Sequence, residues 1–237
     1  MIRMQPKALW FLILSYSIIL SFANWFDARL ISVGSLVTDA GTLIFPLTFM
    51  IADVLTEVYG YKQTRRAIWV GFLFSVLFIG YGQVITLFPG PEFYDNNVYF
   101  DKLIAINIRI TLASLMSYLC AEPLNAYLIS KLKVKMQGRN IALRFVFSTV
   151  FSAAVDSIVF SFLAFFGTMP LPELYKLIAV MWLFKVIVEI IGLPFSVYCA
   201  KKLKKYEGLD IYDTNTSYTL LSLDAEYQET DNKIKLN

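Results

Sequence analysis

Long apolar segments separated by short polar ones run along the chain from residue 8 to residue 200. Six segments can be marked, each near or above the roughly 17–25 residues that a helix needs to cross a bilayer. They cover residues 8–26, 43–59, 67–88, 103–129, 141–166 and 174–200. Because a backbone in lipid must satisfy its own hydrogen bonds, we expect every segment to be helical. The pattern predicts an all-α polytopic membrane protein with six transmembrane helices.

Basic residues concentrate in alternate connections between these segments. They precede the first segment and follow the second, fourth and sixth, as Arg3, Lys7, Lys62, Arg65, Arg66, Lys131, Lys133, Lys135, Arg139, Lys201, Lys202, Lys204 and Lys205. The intervening connections carry few basic residues. By the positive-inside rule, this alternation predicts that both termini are cytoplasmic.

The regions outside the six segments differ in character. The apolar run from Ala8 is as long as a full span, so we interpret it as a retained helix rather than a signal peptide. Residues 27–42 are too polar for a span and predict an outer hairpin or half-buried loop. Residues 1–205 thus form one transmembrane domain. Residues 206–237 contain seven acidic residues, two lysines and no long apolar run, which predicts a disordered cytoplasmic tail, with a docking role left open.

Composition excludes several classes of function. The chain is 57% hydrophobic and 16% charged, which is typical of a membrane protein. It has no histidine, and Cys120 and Cys199 lie in apolar runs without CxxC spacing, so we expect no metal site, cofactor or disulfide framework. The net charge of +3 reflects basic loops and does not indicate a nucleic-acid partner. No GxxxxGK, GxSxG or HExxH motif occurs, and we expect the protein not to be an enzyme.

Ionisable residues nevertheless lie inside the apolar segments. Three of them are deep: at the rise of a helix, roughly 13–18 Å separates each from the basic residues at one end of its segment. They are Asp53, Asp156 and Glu189. Such a depth is near the middle of a bilayer core about 30 Å thick. Such groups cost about 2.5–3.5 kcal/mol each and usually face a bundle interior. Lys185 and Glu189, four residues apart, could instead neutralise each other, and Glu57 could pair with a cation at the interface.

These polar groups favour a solute pocket over a channel. A channel would need a ring of like residues or several subunits, whereas here the groups are mixed in sign and scattered. Pro46, Pro123 and Pro194 fall in the second, fourth and sixth segments and suggest broken helices near a binding site.

Three blocks resemble the queuosine precursor transporter family, also known as the vitamin uptake transporter family. The first is "FPLTFMIADVLTEVYGYKQTRR", with Thr56 where the family usually has asparagine; the others are "LRFVFSTVFSAAVDSIVFSFLAFFG" and "FKVIVEIIGLPFSVYCAKKLKK". The matching residues are Pro46, Asp53, Glu57, Tyr59, Gly60, Arg65, Arg66, Arg144, Ser148, Thr149, Asp156, Ser157, Phe160, Gly167, Lys185, Pro194 and Tyr198. The resemblance covers about residues 20–205.

The resemblance implies an inner-membrane importer of 7-deazaguanine bases, preQ0 or preQ1, for tRNA modification. A carboxylate can accept the N1–H and 2-amino donors of such a base together, and aromatic rings can stack on it. The candidate substrate-binding residues are Asn24, Phe49, Asp53, Glu57, Asp156, Trp182, Lys185 and Glu189. Which acid contacts the base, which base is carried, proton coupling and homo-oligomerisation all stay open.

Two other functions compete with this one. A substrate-binding subunit of an energy-coupling-factor vitamin transporter also has six helices, but its first helix usually carries a small-residue alanine pattern that is missing here. An intramembrane aspartyl protease would need YD and GxGD motifs, whereas Asp53 follows Ala52 and Asp156 follows Val155.

Overall fold

The computed structural model of the chain describes residues 6–91, 93, 95–222 and 224–234. These residues form six α-helices: α1 (Leu9–Phe26), α2 (Pro46–Tyr59), α3 (Tyr61–Ile85), α4 (Asn97–Lys135), α5 (Ile141–Phe165) and α6 (Leu171–Glu207). Strands β1 (Leu30–Val33) and β2 (Leu36–Asp39) lie between α1 and α2, and 3-10 turns occupy Gly41–Leu43 and Glu229–Asp231. All the helices except α2 are long and apolar enough to cross a membrane. The prediction of an all-α polytopic membrane protein is therefore confirmed in its architecture.

Helix α2 is the short member of the bundle. Its 14 residues span about 21 Å, less than a bilayer core. Pro46 is its first residue, a position that suits proline because the missing N–H would have no partner inside the helix. Pro123 and Pro194 lie inside α4 and α6, which remain continuous, so the broken helices suggested by the prolines do not occur there.

The helices place their connections at two ends of the bundle. One end, here called the basic end, holds the start of α1, the α2–α3 junction, the α4–α5 loop and the end of α6. Contacts across this end include the Tyr59 hydroxyl, which donates to Glu207 at 2.9 Å. The opposite end, here called the hairpin end, holds β1 and β2 together with the α3–α4 and α5–α6 connections. There the Arg109 guanidinium donates to the carbonyls of Leu163 and Phe166 at 3.0 and 2.7 Å.

The predicted hairpin at residues 27–42 is confirmed. Strands β1 and β2 pair antiparallel, with Leu30 opposite Asp39 and Val33 opposite Leu36. Thr38 and Asp39 at the end of β2 are buried, so the hairpin reaches back into the bundle instead of standing free in solvent.

Apolar side chains dominate the outer surface of the long helices, and polar ones fill much of the interior. Leu77, Ile191 and Phe195 are more than half exposed, whereas Asp53, Glu122 and Arg144 are fully buried. This inverts the distribution found in soluble proteins, and it is the arrangement expected when lipid surrounds the bundle.

The segment that follows α6 packs against the basic end. Its Leu209, Ile211 and Tyr227 are buried, and the Asp213 carboxylate accepts hydrogen bonds from the Tyr61 N–H and the Tyr227 hydroxyl at 2.9 and 2.7 Å. The prediction of a disordered tail is therefore wrong for its described residues, 206–222 and 224–234. The composition argument failed because these residues bond both to the bundle and to one another, as when Thr214 donates to Asp231 at 2.9 Å.

Gly60 allows this close packing. Its φ of +80° turns α2 into α3 within one residue, a conformation that glycine adopts without strain. A Cβ at this position would lie 2.4 Å from the Tyr227 hydroxyl, so a larger residue would push the tail away from the junction.

Candidate functional site

Helices α2, α4, α5 and α6 turn polar side chains toward one another inside the bundle. Two pairs of polar residues have a four-residue spacing, which places the members of each pair on one helix face: Ser152 with Asp156, and Lys185 with Glu189. We call the following six side chains the polar seam: Asp53, Glu122, Asn125, Asp156, Lys185 and Glu189. None is more than 2% exposed. Because such groups are costly away from water, the polar seam is the first place to look for a ligand site.

Asp156 and Lys185 form an ion pair on the hairpin side of the polar seam. The Lys185 ammonium donates to Asp156 Oδ2 and lies 4.6 Å from the centre of the Phe45 ring. The other oxygen, Asp156 Oδ1, receives no hydrogen bond from the described part of the chain. Both side chains line a cavity of about 10 Å³, room for about one water molecule. Phe45, Phe160 and Met181 supply apolar walls to this cavity.

The β-hairpin region closes the cavity from the hairpin end. Asp39 accepts hydrogen bonds from the Thr42 N–H and hydroxyl, each at 2.7 Å, and this fixes the turn that leads into α2. Asp27 packs against Gly41 so closely that a Cβ on this glycine would lie 1.7 Å from Asp27 Oδ1. Asp27, Asp39 and Thr42 all line the cavity together with Asp156 and Lys185.

A second pair of acids lies further along the polar seam. Asn125 donates to Asp53 Oδ1 at 2.6 Å and in turn accepts from the Ser152 hydroxyl at 3.2 Å. Glu189 faces Asp53 closely enough for the two carboxyl groups to interact electrostatically. Among the residues described, Asp53 Oδ2 and both Glu189 oxygens have no hydrogen-bond partner. The alternative in which Lys185 neutralises Glu189 is therefore wrong, because Lys185 pairs with Asp156.

Glu122 lies between these two pairs on α4. It accepts a hydrogen bond from the Thr48 hydroxyl at 3.0 Å. One turn before it, the Tyr118 hydroxyl accepts from Tyr16 at 2.9 Å and donates to the Ile68 carbonyl at 2.8 Å. These bonds tie α1, α2 and α3 to the helix that carries Glu122.

Glu57 belongs to a separate cluster at the basic end. Arg144 donates to both of its oxygens, at 2.6 and 3.0 Å, and Lys204 donates at 2.5 Å. Asp210 from the tail adds contacts of 2.7 Å to both Lys133 and Lys204. Burial opposes ionisation of Asp210, but the two lysines outweigh it and hold the pKa of this carboxyl below its ordinary value. The Glu57 carboxylate is therefore fully engaged by cations, and it does not line the cavity beside Asp156.

The remaining sequence-predicted candidates do not line that cavity either. Asn24 accepts from Ser114 at 2.6 Å, which commits its side-chain oxygen to a contact between α1 and α4. Phe49 is fully buried against Phe45, with ring centres 5.5 Å apart. The Trp182 indole N–H donates to the Val150 carbonyl at 3.0 Å.

Sequence reasoning missed Asp27, Asp39, Phe45 and Phe160 as cavity residues. The polar neighbourhood of the two acids predicts an outer loop or hairpin and not a place inside the bundle. The available signal was Gly41 beside Asp39 and Thr42, which suggests a tight turn with a close backbone approach. Phe45 precedes Pro46 in the first resemblance block, but one Phe among twenty carries little positional information.

Comparison with known proteins places the chain in a family. Residues 39–199 match the family model described as "Putative vitamin uptake transporter", which is more than half of the chain. The chain belongs to this family. No solved structure matches the chain.

Curated relatives agree with this membership. The "Probable queuosine precursor transporter" of Bacillus subtilis is 27% identical over 184 residues, 76% of this chain and 79% of the relative. The "Queuosine precursor transporter" of Escherichia coli is 26% identical over 192 residues, 78% of this chain and 82% of the relative. A Haemophilus influenzae "Probable queuosine precursor transporter" is 27% identical over 128 residues, about half of either chain.

Proposed function

We propose that this chain imports 7-deazaguanine precursors of queuosine, preQ0 or preQ1, across the cytoplasmic membrane of a bacterium. Family membership and the names of its relatives support the substrate class. The observation that carries the proposal is the Asp156–Lys185 pair, which lines a small cavity among helices that can cross a membrane.

The pair has the chemistry needed to recognise the guanine edge of such a base. This edge presents an acceptor, O6, beside two donors, the N1–H and the 2-amino group. Asp156 can accept both donors, because its Oδ1 receives no hydrogen bond from any described residue, and the Lys185 ammonium can donate to O6. Phe45 and Phe160 are placed beside the pair to cover the faces of the flat ring.

Import requires the cavity to open toward each side of the membrane in turn. A cavity of about 10 Å³ is far smaller than a purine-like base, so the helices around it must separate before the base can enter. The hairpin region closes it on one side, and the ion cluster around Glu57 closes the basic end on the other. The positive-inside rule supports a cytoplasmic basic end and two cytoplasmic termini.

Six crossings fit this orientation. Alternation of the connections between the two ends requires α2 to return the chain to the basic end, although it is only 14 residues long. The buried 3-10 turn and the end of β2 extend its path, and irregular backbone is tolerated at membrane depth when protein covers it.

Proton coupling is part of the proposal. The polar seam contains four carboxyl groups and one ammonium group, so a chain with every acid ionised would hold a large uncompensated charge in a low-dielectric interior. Protons are the simplest compensation, and their uptake and release could accompany substrate movement.

The test uses cells that can neither make preQ0 nor import it. The chain is expressed, preQ0 or preQ1 is supplied at low concentration, and queuosine in tRNA is measured. We expect rescue by the wild type and by Glu173→Gln, an exposed acid on α6, but not by Asp156→Asn at equal membrane level. Absence of rescue by a well-expressed wild type would contradict the proposal.

A second measurement separates an independent carrier from a binding subunit of an ATP-driven module. Purified chain in liposomes, with no other protein present, should accumulate the base. Binding without accumulation would favour the energy-coupling-factor type of transporter instead.

A further inference from the structure

The Asp53–Glu189 pair has no cation beside it among the described residues. Asp53 is fully buried and Glu189 is 1% exposed, and three of their four carboxyl oxygens lack a hydrogen-bond partner within the described ranges. Asn125 contributes a neutral amide to the fourth oxygen. A buried acid pair of this kind needs either protons or a positively charged group between its members.

The charged groups on the surrounding helices do not compensate the pair. On α4 the neighbour is Glu122, which is acidic, and the group that acts on Glu122 from α5 is Asp156, which is also acidic. The nearest cation on α6 is Lys185, and its ammonium is engaged by Asp156. The cations at the basic end, Arg144 and Lys204, are engaged by Glu57.

Position along α6 relates this acid pair to the proposed base site. Glu189 follows Lys185 by four residues, one helical turn, a rise of about 6 Å along the helix axis. On a 7-deazaguanine, the substituent at C7 projects beside O6. A base that places O6 at Lys185 and its two donors at Asp156 can therefore direct its C7 substituent along α6 toward Glu189.

We infer that Glu189, together with Asp53, binds a cationic substituent on C7 of the transported base. The ligand class is an aminomethyl 7-deazaguanine such as preQ1, whose ammonium group would lie between the two carboxylates. The neutral nitrile of preQ0 offers no positive charge, so protons alone must neutralise the pair when preQ0 is bound. This inference rests on the proposed function and adds a preference among its substrates.

Competition in liposomes that contain the wild-type chain tests the inference without any substitution. Uptake of labelled preQ1 at pH 7 is challenged with unlabelled preQ1, preQ0 or 7-hydroxymethyl-7-deazaguanine, a neutral analogue of nearly the same size as preQ1. We expect preQ1 to compete about tenfold or more better than either neutral base, because only preQ1 brings a charge into a desolvated acid pair.

Substitution then assigns the preference to the pair. Glu189→Gln keeps the size of the side chain and removes its charge, and Glu173→Gln on the exposed part of the same helix is the matched control. Glu189→Gln should lose about tenfold in preQ1 uptake while preQ0 uptake changes by less than about threefold. The control should leave both rates unchanged.

The outcomes distinguish a failure of this inference from a failure of the proposed transport function. Equal competition by preQ1 and its hydroxymethyl analogue overturns the inference and leaves the transporter in place. Equal loss of both bases in Glu189→Gln overturns it as well, since a proton site or a structural role would produce that result. If the wild type accumulates no base above empty liposomes, the proposed function itself fails and the inference falls with it.

Discussion

The ion cluster at the basic end allows a structural and a substrate-binding role for Glu57 to be told apart by experiment. The sequence predicts this residue as part of the substrate site, whereas the structure surrounds it with Arg144 and Lys204. The informative change is Glu57→Gln, which preserves shape and removes the charge. Arg144 is fully buried, and its guanidinium would lose its anionic partner.

The expected cost follows from this burial. Removing one partner of a buried ion pair typically destabilises a protein by about 3–5 kcal/mol, because the remaining charge has no compensation. For a chain of about 150–250 residues, 1 kcal/mol corresponds to roughly 2–4 °C in melting temperature, so we expect a decrease of roughly 6–20 °C. Glu173→Gln removes an exposed pair with Lys176 and should change the melting temperature by less than about 2 °C.

The assay measures both stability and transport. Thermal unfolding in detergent is followed by size-exclusion fluorescence, and uptake of the base is expressed per folded molecule. Glu57→Gln should lower the melting temperature and leave substrate affinity within about threefold of the wild type. A normal melting temperature combined with a large loss of affinity would refute the structural role and return Glu57 to the substrate site.

Three further predictions concern the ion pair beside the cavity and the tail. Asp156→Asn and Lys185→Met should each destabilise the chain by about 3–5 kcal/mol. The double variant should recover much of that stability but no uptake. If thermal unfolding instead shows that the two losses add, the residues are not a coupled pair. Asp213→Ala should destabilise the α2–α3 junction by about 1–3 kcal/mol because it leaves buried donors unpaired. Hydrogen exchange can detect this loss of stability, and Glu226→Ala, at an exposed position, is the control. Because the pKa of Asp210 is lowered from 3.8, its contribution to tail docking is complete at neutral pH and is lost only as the pH falls below that value; protease protection that already declines at about pH 6 would contradict this.

Apolar composition along the chain was sufficient to predict the long helices but not their ends. Helix α4 begins at Asn97 and ends at Lys135, whereas the predicted span covers residues 103–129. A helix continues through polar residues because its hydrogen bonds are internal, so the polarity change marks the membrane boundary and not the helix boundary. For α2, the apolar run from Leu43 could not reveal that residues 41–43 form a 3-10 turn.

Depth within the apolar segments identified Asp53, Asp156 and Glu189 as candidate site residues, and the family resemblance added Lys185, but neither could identify their partners. Lys185 has Glu189 one turn away on its own helix, and only the packing of α5 against α6 decides that it pairs with Asp156 instead. The tail is a second case in which the sequence could not identify the contact partners. Its few apolar residues predict disorder in isolation, yet Arg65 alone donates to three of its backbone carbonyls, at Ser217, Thr219 and Asp224.

Gly41 offers a direct test of how the hairpin end closes the cavity. In Gly41→Ala the new Cβ would lie 1.7 Å from Asp27 Oδ1 and 2.5 Å from the Ala23 carbonyl oxygen, which belongs to the α1 backbone and cannot yield. The turn before α2 must therefore move outward, and the cavity should become accessible from the hairpin end. Gly80→Ala on α3 is the control, because a Cβ there meets no atom within 4 Å.

The movement can be read from a thiol placed on the cavity wall. Ser117 lines the cavity and is 2% exposed, so Ser117→Cys, in a background with Cys120 and Cys199 changed to serine, should react slowly with a membrane-impermeant thiol reagent. Adding Gly41→Ala should raise the labelling rate about tenfold or more, since a displacement of the turn exposes a site that is otherwise closed, and adding Gly80→Ala should not change it. An equal labelling rate in both variants, with Gly41→Ala still folded, would mean that the Asp27–Gly41 contact does not hold the cavity shut. The closure would then have to be attributed to the packing of the helices themselves.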